Sequence, residues 1–320
     1  MQILIVHAHP EPQSFCSALS RTAAEVLTQQ GHSVTVSDLY AQRFDPVSGR
    51  SNFTTVKNAE YYKQQQEELY ATEQNSFAPE LDAEIRKLEA ADLLLFSFPL
   101  WWFGLPAILK GWVDRAFPMG RVYGGTRLFE RGLGSLRSAR ALALMTTGGS
   151  QLAFSERGVD PHFSSVMAPI QHGIFWFNGF QPLSPFVAWG ATRASDDTRA
   201  EYLETLRTRL PGIFDEAPIQ LPPLSDFPQH GADTKKRFRV VLRRKNGPDP
   251  EREKLLPAER AQMAEFRRTG FVLDQAFTAP DAAEWRGFLS IRAASAEEVR
   301  TKLATLPLAR SLEFEVFEVG

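Results

Sequence analysis

The chain has 320 residues, 43% of them hydrophobic and 23% charged, the make-up of an ordinary globular protein with room for about two domains. A formal net charge of −2 and the lack of any Lys/Arg run argue against nucleic acid or an anionic membrane surface, and leave small molecules as the expected partners. The single cysteine, Cys16, excludes an internal disulfide, and the opening MQILIVHAHP lacks the charged start and long apolar run of a secretory leader, so a cytoplasmic protein is expected.

In chain order, Gln2 to Ala8 is an apolar strand, and Ser14 to Gln30 an amphipathic helix closed by Gly31. His32 to Leu39 returns as a strand. The polar run from Asn52 to Gln74 follows, in which KQQQEEL reads as a solvated helix, and Pro79 to Ala91 is a further helix. Leu93 to Trp112, LLLFSFPLWWFGLPAILKGW, has the length of a membrane span, but Pro99, Gly104 and Pro106 interrupt it and Lys110 sits near one end. It reads instead as strand, loop and helix: Leu93 to Phe98 buried on both faces, Pro106 in the first turn of a helix running to about Phe117. Strands at Ala141 to Thr147 and Gln181 to Trp189 alternate with helices at about His162 to Phe177 and Asp196 to Leu210. Five strands alternating with helices predict a parallel, doubly wound α/β sheet.

Such sheets bind ligands outside the carboxyl ends of their strands. Three strand ends here carry unusual loops. HAHPEPQSF, His7 to Phe15, leads into a helix whose free N–H groups and Ser14 hydroxyl suit a phosphate. The Trp/Phe loop Pro99 to Gly104 follows the third strand, and TTGGS, Thr146 to Ser150, the fourth, its glycines letting backbone approach a flat ligand. A phosphate site, an aromatic wall and a glycine edge together suit a flavin nucleotide.

Residues 1 to about 215 resemble the flavodoxin-like NAD(P)H:quinone oxidoreductases of the DT-diaphorase type. The likeness runs through FPLWWFGLPAILKGW, TTGGS and PIQHGIFWFNGF in matching order and spacing. It implies bound FAD (FMN being the other flavin such a fold takes), NAD(P)H as cosubstrate, a homodimer with sites at its interface, and two-electron reduction of a quinone. Carried over by position, it implies that His9, Gln13, Ser14, Phe15, Cys16 and Ala18 hold the phosphates and ribityl chain. Pro99, Leu100, Trp102 and Phe103 would line the isoalloxazine, Thr146, Thr147, Gly148 and Gly149 its polar edge, and Arg199 the adenine half. Tyr123 matches a substrate-pocket tyrosine, and one of Gln64 to Gln66 is expected to reach the partner's cofactor.

Without the resemblance, Trp101, Trp102 and Phe103 read equally as core or interface aromatics, Cys16 as a small packed residue, and His162 as an ordinary helix-start polar group. The chain also departs from the family pattern. Animal members carry a tyrosine after TTGGS and a histidine six residues on, where this chain has Phe154 and Asp160. A carboxylate there would oppose negative charge developing on a reduced flavin unless protonated or turned away. His162 is the nearby replacement for the proton relay, since an unperturbed imidazole titrates at about 6.5. The apolar helix around Ile170 to Phe177 favours dimerisation.

From residue 216 to 235 the sequence turns proline-rich and polar, an expected linker. Beyond it, residues 236 to 320 give the order β-α-β-β-α-β of a small α+β ferredoxin-like domain, with a helix from about Pro257 to Thr269 and a capping box at Ser295 and Glu298. This tail resembles the muconolactone isomerase-like and YCII-like dimeric α+β barrels, through EFRRTG and ATLPLARSLEFEVFEV. It offers no acid–base pair that commits it to chemistry, and reads most simply as a dimerisation domain. Two functions follow for the whole chain: a flavin-dependent NAD(P)H dehydrogenase acting on quinones, or a flavin-binding regulatory subunit like those of potassium-efflux systems, with little turnover.

Overall fold

The computed structural model describes residues 1–124, 129, 139–222, 227, 236–245, 251–279, 282 and 284–319. The chain forms two compact units, Met1–Pro222 and Pro223–Gly320. Of the expected linker, residues 223–226 and 228–235 lie outside the described ones. Residues before them are tied into the first unit, where Ile219 N–H donates to Pro182 O at 2.9 Å and Arg209 pairs with Glu216 at 2.7 Å.

The first unit is a parallel sheet of β1 (Gln2–His7), β2 (Ser33–Asp38), β3 (Leu93–Pro99), β4 (Arg140–Thr146), β5 (Gln181–Pro182) and β6 (Phe186–Ala188). The order is β2-β1-β3-β4, with β5 and β6 both paired to β4, as the flavodoxin-like expectation requires. The chain reverses direction across the sheet between β1 and β3, and a crevice opens there by topology. Alternation along β1 feeds two cores: Leu4 and Val6 face the layer holding α3 (Pro79–Ala90) and α4 (Ala107–Ala116), while Ile3 and Ile5 face α1 (Phe15–Gln29) and α6 (Asp196–Arg209).

Much of the long apolar motif is core. Trp112 is fully buried and donates from Nε1 to Glu84 at 2.9 Å, and Gly111 admits the Pro46 backbone where any Cβ would collide. Three expectations need correction. The strand expected over Gln181 to Trp189 is two short pieces, because Pro182 and Pro185 cannot donate to a ladder. The helix expected over His162 to Phe177 is α5 (Phe163–Ile170) followed by a wide-turn stretch, Gln171–Trp176; Pro169 interrupts the hydrogen-bond pattern. The KQQQEEL helix, α2 (Gln64–Gln74), is not merely solvated. Glu67 and Glu68 are buried in it, Glu67 accepting from the N–H groups of Lys57 and Asn58 at 2.7 and 3.0 Å and Glu68 from that of Met119 at 2.8 Å.

The second unit is antiparallel: β7 (Lys236–Arg244), β8 (Val272–Phe277), β9 (Arg286–Ala293) and β10 (Leu312–Val319) in the order β10-β7-β9-β8, with α7 (Arg252–Arg268) and α8 (Ala296–Ala304) as crossovers. That is the expected β-α-β-β-α-β arrangement, though α7 begins at Arg252 rather than Pro257 and carries Pro257 inside it. Ser295 caps α8 through Glu298 N–H at 3.1 Å, while Glu298 reaches back to Ala294 N–H at 2.7 Å. One face of the sheet buries Phe238, Val240, Leu289 and Ile291; the other exposes Phe288 and Phe317.

Candidate active site

A trench crosses the carboxyl ends of β1, β3 and β4. It is made of three adjoining cavities of about 430, 350 and 290 Å³, the first two sharing His9, Thr146, Ala191 and Thr192, the last two Leu100, Trp102, Thr147 and Gly148.

The first cavity lies over the start of α1. Ser14 caps this helix, its Oγ accepting from Ser17 N–H at 3.1 Å, and the N–H groups of Phe15 and Cys16 in the first turn are left without intrahelical acceptors. They present a partial positive charge to whatever lies above. His9, Gln13, Ser14, Phe15, Cys16, Ala18, Thr146 and Arg199 all line this cavity. Arg199 is oriented by Asp196 at 3.0 Å. Burial pushes the Cys16 thiol up to about 12, so it stays a neutral packed group.

Beneath this loop lies a residue that the sequence reading passes over. His7, at the end of β1, is buried, with Nδ1 3.1 Å from Ser97 Oγ on β3 and Nε2 3.0 Å from Ser17 Oγ on α1. Ser17 spends its only hydroxyl proton on Glu11 O at 2.9 Å and also accepts from Ser14 Oγ at 2.9 Å. Nε2 must therefore carry the imidazole proton, and Nδ1 accepts from Ser97. Burial holds the His7 pKa below its ordinary value, which keeps the ring neutral and this tautomer available. The histidine ties β1, β3 and the start of α1 into one frame.

The other end of the trench is apolar. Pro99, Leu100, Trp101 and Trp102 form one wall of the middle cavity, and Leu100, Trp102, Phe103, Gly149, Phe154 and Asp160 line the last. Trp102 and Phe103 have φ of 51° and 58°, left-handed values that bulky side chains rarely adopt and that cost on the order of 1 kcal/mol each. The turn that forces them leaves Trp102 97% exposed. In the TTGG turn, Thr147 Oγ1 donates to Gly149 O at 2.7 Å, and Gly190 N–H also donates to Gly149 O, at 2.9 Å. The two glycines serve different ends. Gly148 faces open space, whereas a Cβ on Gly149 would lie 2.9 Å from the Phe154 ring and 3.1 Å from Asp160 Oδ2. Gly149 thus admits its own chain, not only a ligand. Phe154 is buried against Phe103 and Trp189, at ring distances of 6.1 and 5.5 Å.

Every residue expected to hold the cofactor borders this trench, together with Phe154 and Asp160. Tyr123, His162 and Gln64 to Gln66 do not. Tyr123 lines a separate cavity of about 210 Å³ with Phe177, its hydroxyl accepting from Gln65 Nε2 at 3.2 Å; burial and then the nearby Glu68 raise its pKa. Gln64 is turned to Glu68 and the Asp114 carbonyl. His162 is exposed and caps its own helix, with Nδ1 2.7 Å from Ser164 Oγ, so the proton-relay reading of it meets a side chain already engaged locally. Besides His7, the sequence reading misses Ala191 and Thr192, brought in by the turn at Gly190 (φ 62°) just past the last strand; the sequence signal is the WGAT run. Among the described residues no helix is long and apolar enough to cross a membrane, and no group of His, Cys, Asp and Glu is placed to hold a metal ion.

Residues 1–210 match a family model described as the flavodoxin-like fold. The chain is 39% identical over 225 residues to NAD(P)H dehydrogenase [quinone] 1 of Cavia porcellus, covering 70% of this chain and 81% of that protein. Over 223 residues it is 37% identical to the ribosyldihydronicotinamide dehydrogenase [quinone] of Rattus norvegicus, covering 69% of this chain and 96% of the relative. Among solved structures, a Klebsiella pneumoniae protein provisionally described as a quinone reductase superposes with a TM-score of 0.67 at 33% identity, over 73% of this chain and 90% of its own.

Proposed function

The chain belongs to the flavodoxin-like fold family, alongside the NAD(P)H quinone dehydrogenases, and from that premise we propose that it is a flavin-dependent NAD(P)H:quinone oxidoreductase. The observation that carries this reading is the trench. One continuous groove at the sheet's switch point joins a helix N-terminus to an aromatic wall, and the two ends match the two ends of a flavin nucleotide. The dinucleotide FAD is favoured over FMN because the cavity over the start of α1 extends to Ala18 and Arg199, beyond what a single phosphate occupies.

The fit rests on this chain's own groups. The N–H groups of Phe15 and Cys16, with Gln13 and His9, would hold the phosphates; Thr146, Thr147 and the open Gly148 would border the ring, and Leu100, Trp102 and Phe103 would flank it. The bound flavin would supply hydride acceptance from NAD(P)H and hydride donation to the quinone. The protein's part is to orient, to exclude water with the Trp/Phe wall, and to handle charge. Asp160 is the one acid on the ring end of the groove: its carboxylate opposes negative charge building up there, and its protonated form can hand over a proton.

Trp102, Leu152 and Val159 stand exposed beside that end, while Tyr123, bonded to Gln65, lines a cavity apart from it. Both features support a homodimer in which a second copy covers the ring end. A cytoplasmic setting accords with the lone buried thiol. The test is anaerobic addition of NADPH to FAD-loaded protein while the visible flavin spectrum is followed, with menadione added afterwards. Bleaching and then recovery is the expected result; a flavin that binds but is not reduced defeats the proposal and leaves the regulatory reading. Sedimentation of the same sample is expected to give a dimer, and a monomer with full activity would remove the second copy from the site.

A further inference from the structure

The second unit holds a cavity of about 390 Å³ walled by α7 and strands β7, β8 and β9, within the range of small-molecule sites. Most of its lining is apolar, with Leu242, Leu256, Met263 and Leu289 prominent. Two of its lining polar side chains, Arg252 and Gln275, by contrast, are not spent on the fold. Arg244 and Arg252 both lie over the indole of Trp285, their guanidinium carbons 5.0 and 5.8 Å from the ring centre. Neither makes an ion pair among the described residues, and Arg244 Nε is buried without an acceptor. Burial and then the charge of Arg252 depress the Arg244 pKa. Glu259, the acid on the wall, feels the charge of Arg252 but makes no ion pair with it: its Oε2 takes the Leu308 N–H at 2.9 Å, and burial outweighs both and raises its pKa. On β8, Gln275 lines the cavity with its side-chain oxygen buried and lacking a donor.

Unpaired buried donors and acceptors are few in native proteins; here the acceptor, Gln275, lines the apolar space, and the donor, Arg244, lies over Trp285, which lines it too. Their chemistry describes a ligand: an anion to answer the guanidiniums, a flat apolar body to lie against Trp285 and Phe277, and a hydrogen-bond donor for Gln275. We infer that this cavity binds a small aromatic carboxylate carrying a ring hydroxyl, held by Arg252 at one end and Gln275 at the other. The site is separate in residues from the flavin trench, and stands or falls independently of the reductase reading.

Calorimetric titration of the full-length, FAD-loaded protein tests it, with 4-hydroxybenzoate, 4-hydroxybenzyl alcohol and benzoate as probes. One saturable site for 4-hydroxybenzoate is expected, with the uncharged alcohol weaker by roughly tenfold or more and benzoate weaker by a smaller factor. Arg252→Met is expected to weaken 4-hydroxybenzoate by roughly tenfold or more while leaving menadione reduction unchanged. Gln275→Leu removes no charge and is expected to bring 4-hydroxybenzoate and benzoate to equal affinity, which keeps the test decisive if Arg252→Met fails to fold. No heat up to about 10 mM ligand, equal affinity for the alcohol, or a hydroxyl preference that survives Gln275→Leu overturns the assignment. So does full affinity in Arg252→Met, which would put the ligand elsewhere, the flavin trench included.

Discussion

The two ends of the trench are built in opposite ways. At the phosphate end the buried polar side chains are already satisfied within one chain: His7, Ser17, Ser97 and Ser14 form a closed hydrogen-bonded frame under the start of α1, and the ring that joins them is buried and neutral. At the ring end the backbone is strained at Trp102 and Phe103, large apolar groups face outward, and the floor depends on Gly149, which has no room for a side chain. Binding energy for a cofactor can be supplied by a rigid frame. Chemistry at its reactive face needs a surface that two substrates can visit in turn, and the exposed ring end offers one.

The strongest way to break this comparison is at Gly158. A Cβ there would overlap the Ala153 carbonyl, so Gly158→Val must displace the turn that carries Phe154 and Asp160 over Gly149. Misplacing the ring-end wall by about 1 Å is expected to lower menadione reduction roughly a hundredfold. Flavin retention, measured by the absorbance that survives gel filtration, should change little, because the frame around His7 shares no residue with that turn. Equal loss of flavin and activity would mean that the two ends are not independent.

A smaller effect is expected from Asp160→Asn. The change keeps shape and removes one negative charge from a half-buried wall, an interaction of about 1–2 kcal/mol at the effective dielectric of such sites. The rate of flavin bleaching by NADPH in stopped flow should therefore rise roughly tenfold near neutral pH. A fall instead would mean that the carboxyl group gives a proton the amide cannot, and would make Asp160 the relay in its own right.

The difference between the two ends also decides what could be read from the sequence. The alternation of strands and helices and the loops after β1, β3 and β4 are legible because each depends on local pattern: an apolar run, a helix cap, paired glycines; the individual residues along the trench come from the family resemblance. His7 is not legible, since HAH offers two histidines and only the pairing of β1 with β3 shows which one faces Ser97. The burial of Glu67 and Glu68 was hidden for the same reason, their partners Lys57, Asn58 and Met119 being set by loop packing rather than by helix period. Gly149 looked like a ligand contact, and only coordinates show Phe154 and Asp160 occupying that space.

The least of the expected effects sharpens the account of the phosphate end. His7 has a depressed pKa in the folded chain, from burial first, with Asp38 pulling the other way and His9 and Arg21 adding to the depression. In the unfolded chain it titrates near 6.5. Above that pH neither state holds the extra proton and the frame's stability is present in full. As pH falls below 6.5 the unfolded state takes up a proton that the folded state refuses, so stability declines until the depressed folded value is reached, then levels off. The melting temperature should therefore drop between about pH 6.5 and pH 5 by a few degrees more in the native protein than in His7→Gln, whose amide can still donate to Ser17 but does not titrate. If both proteins lose stability alike over that range, the slope belongs to other groups, and the imidazole of His7 is not held neutral by the frame it joins.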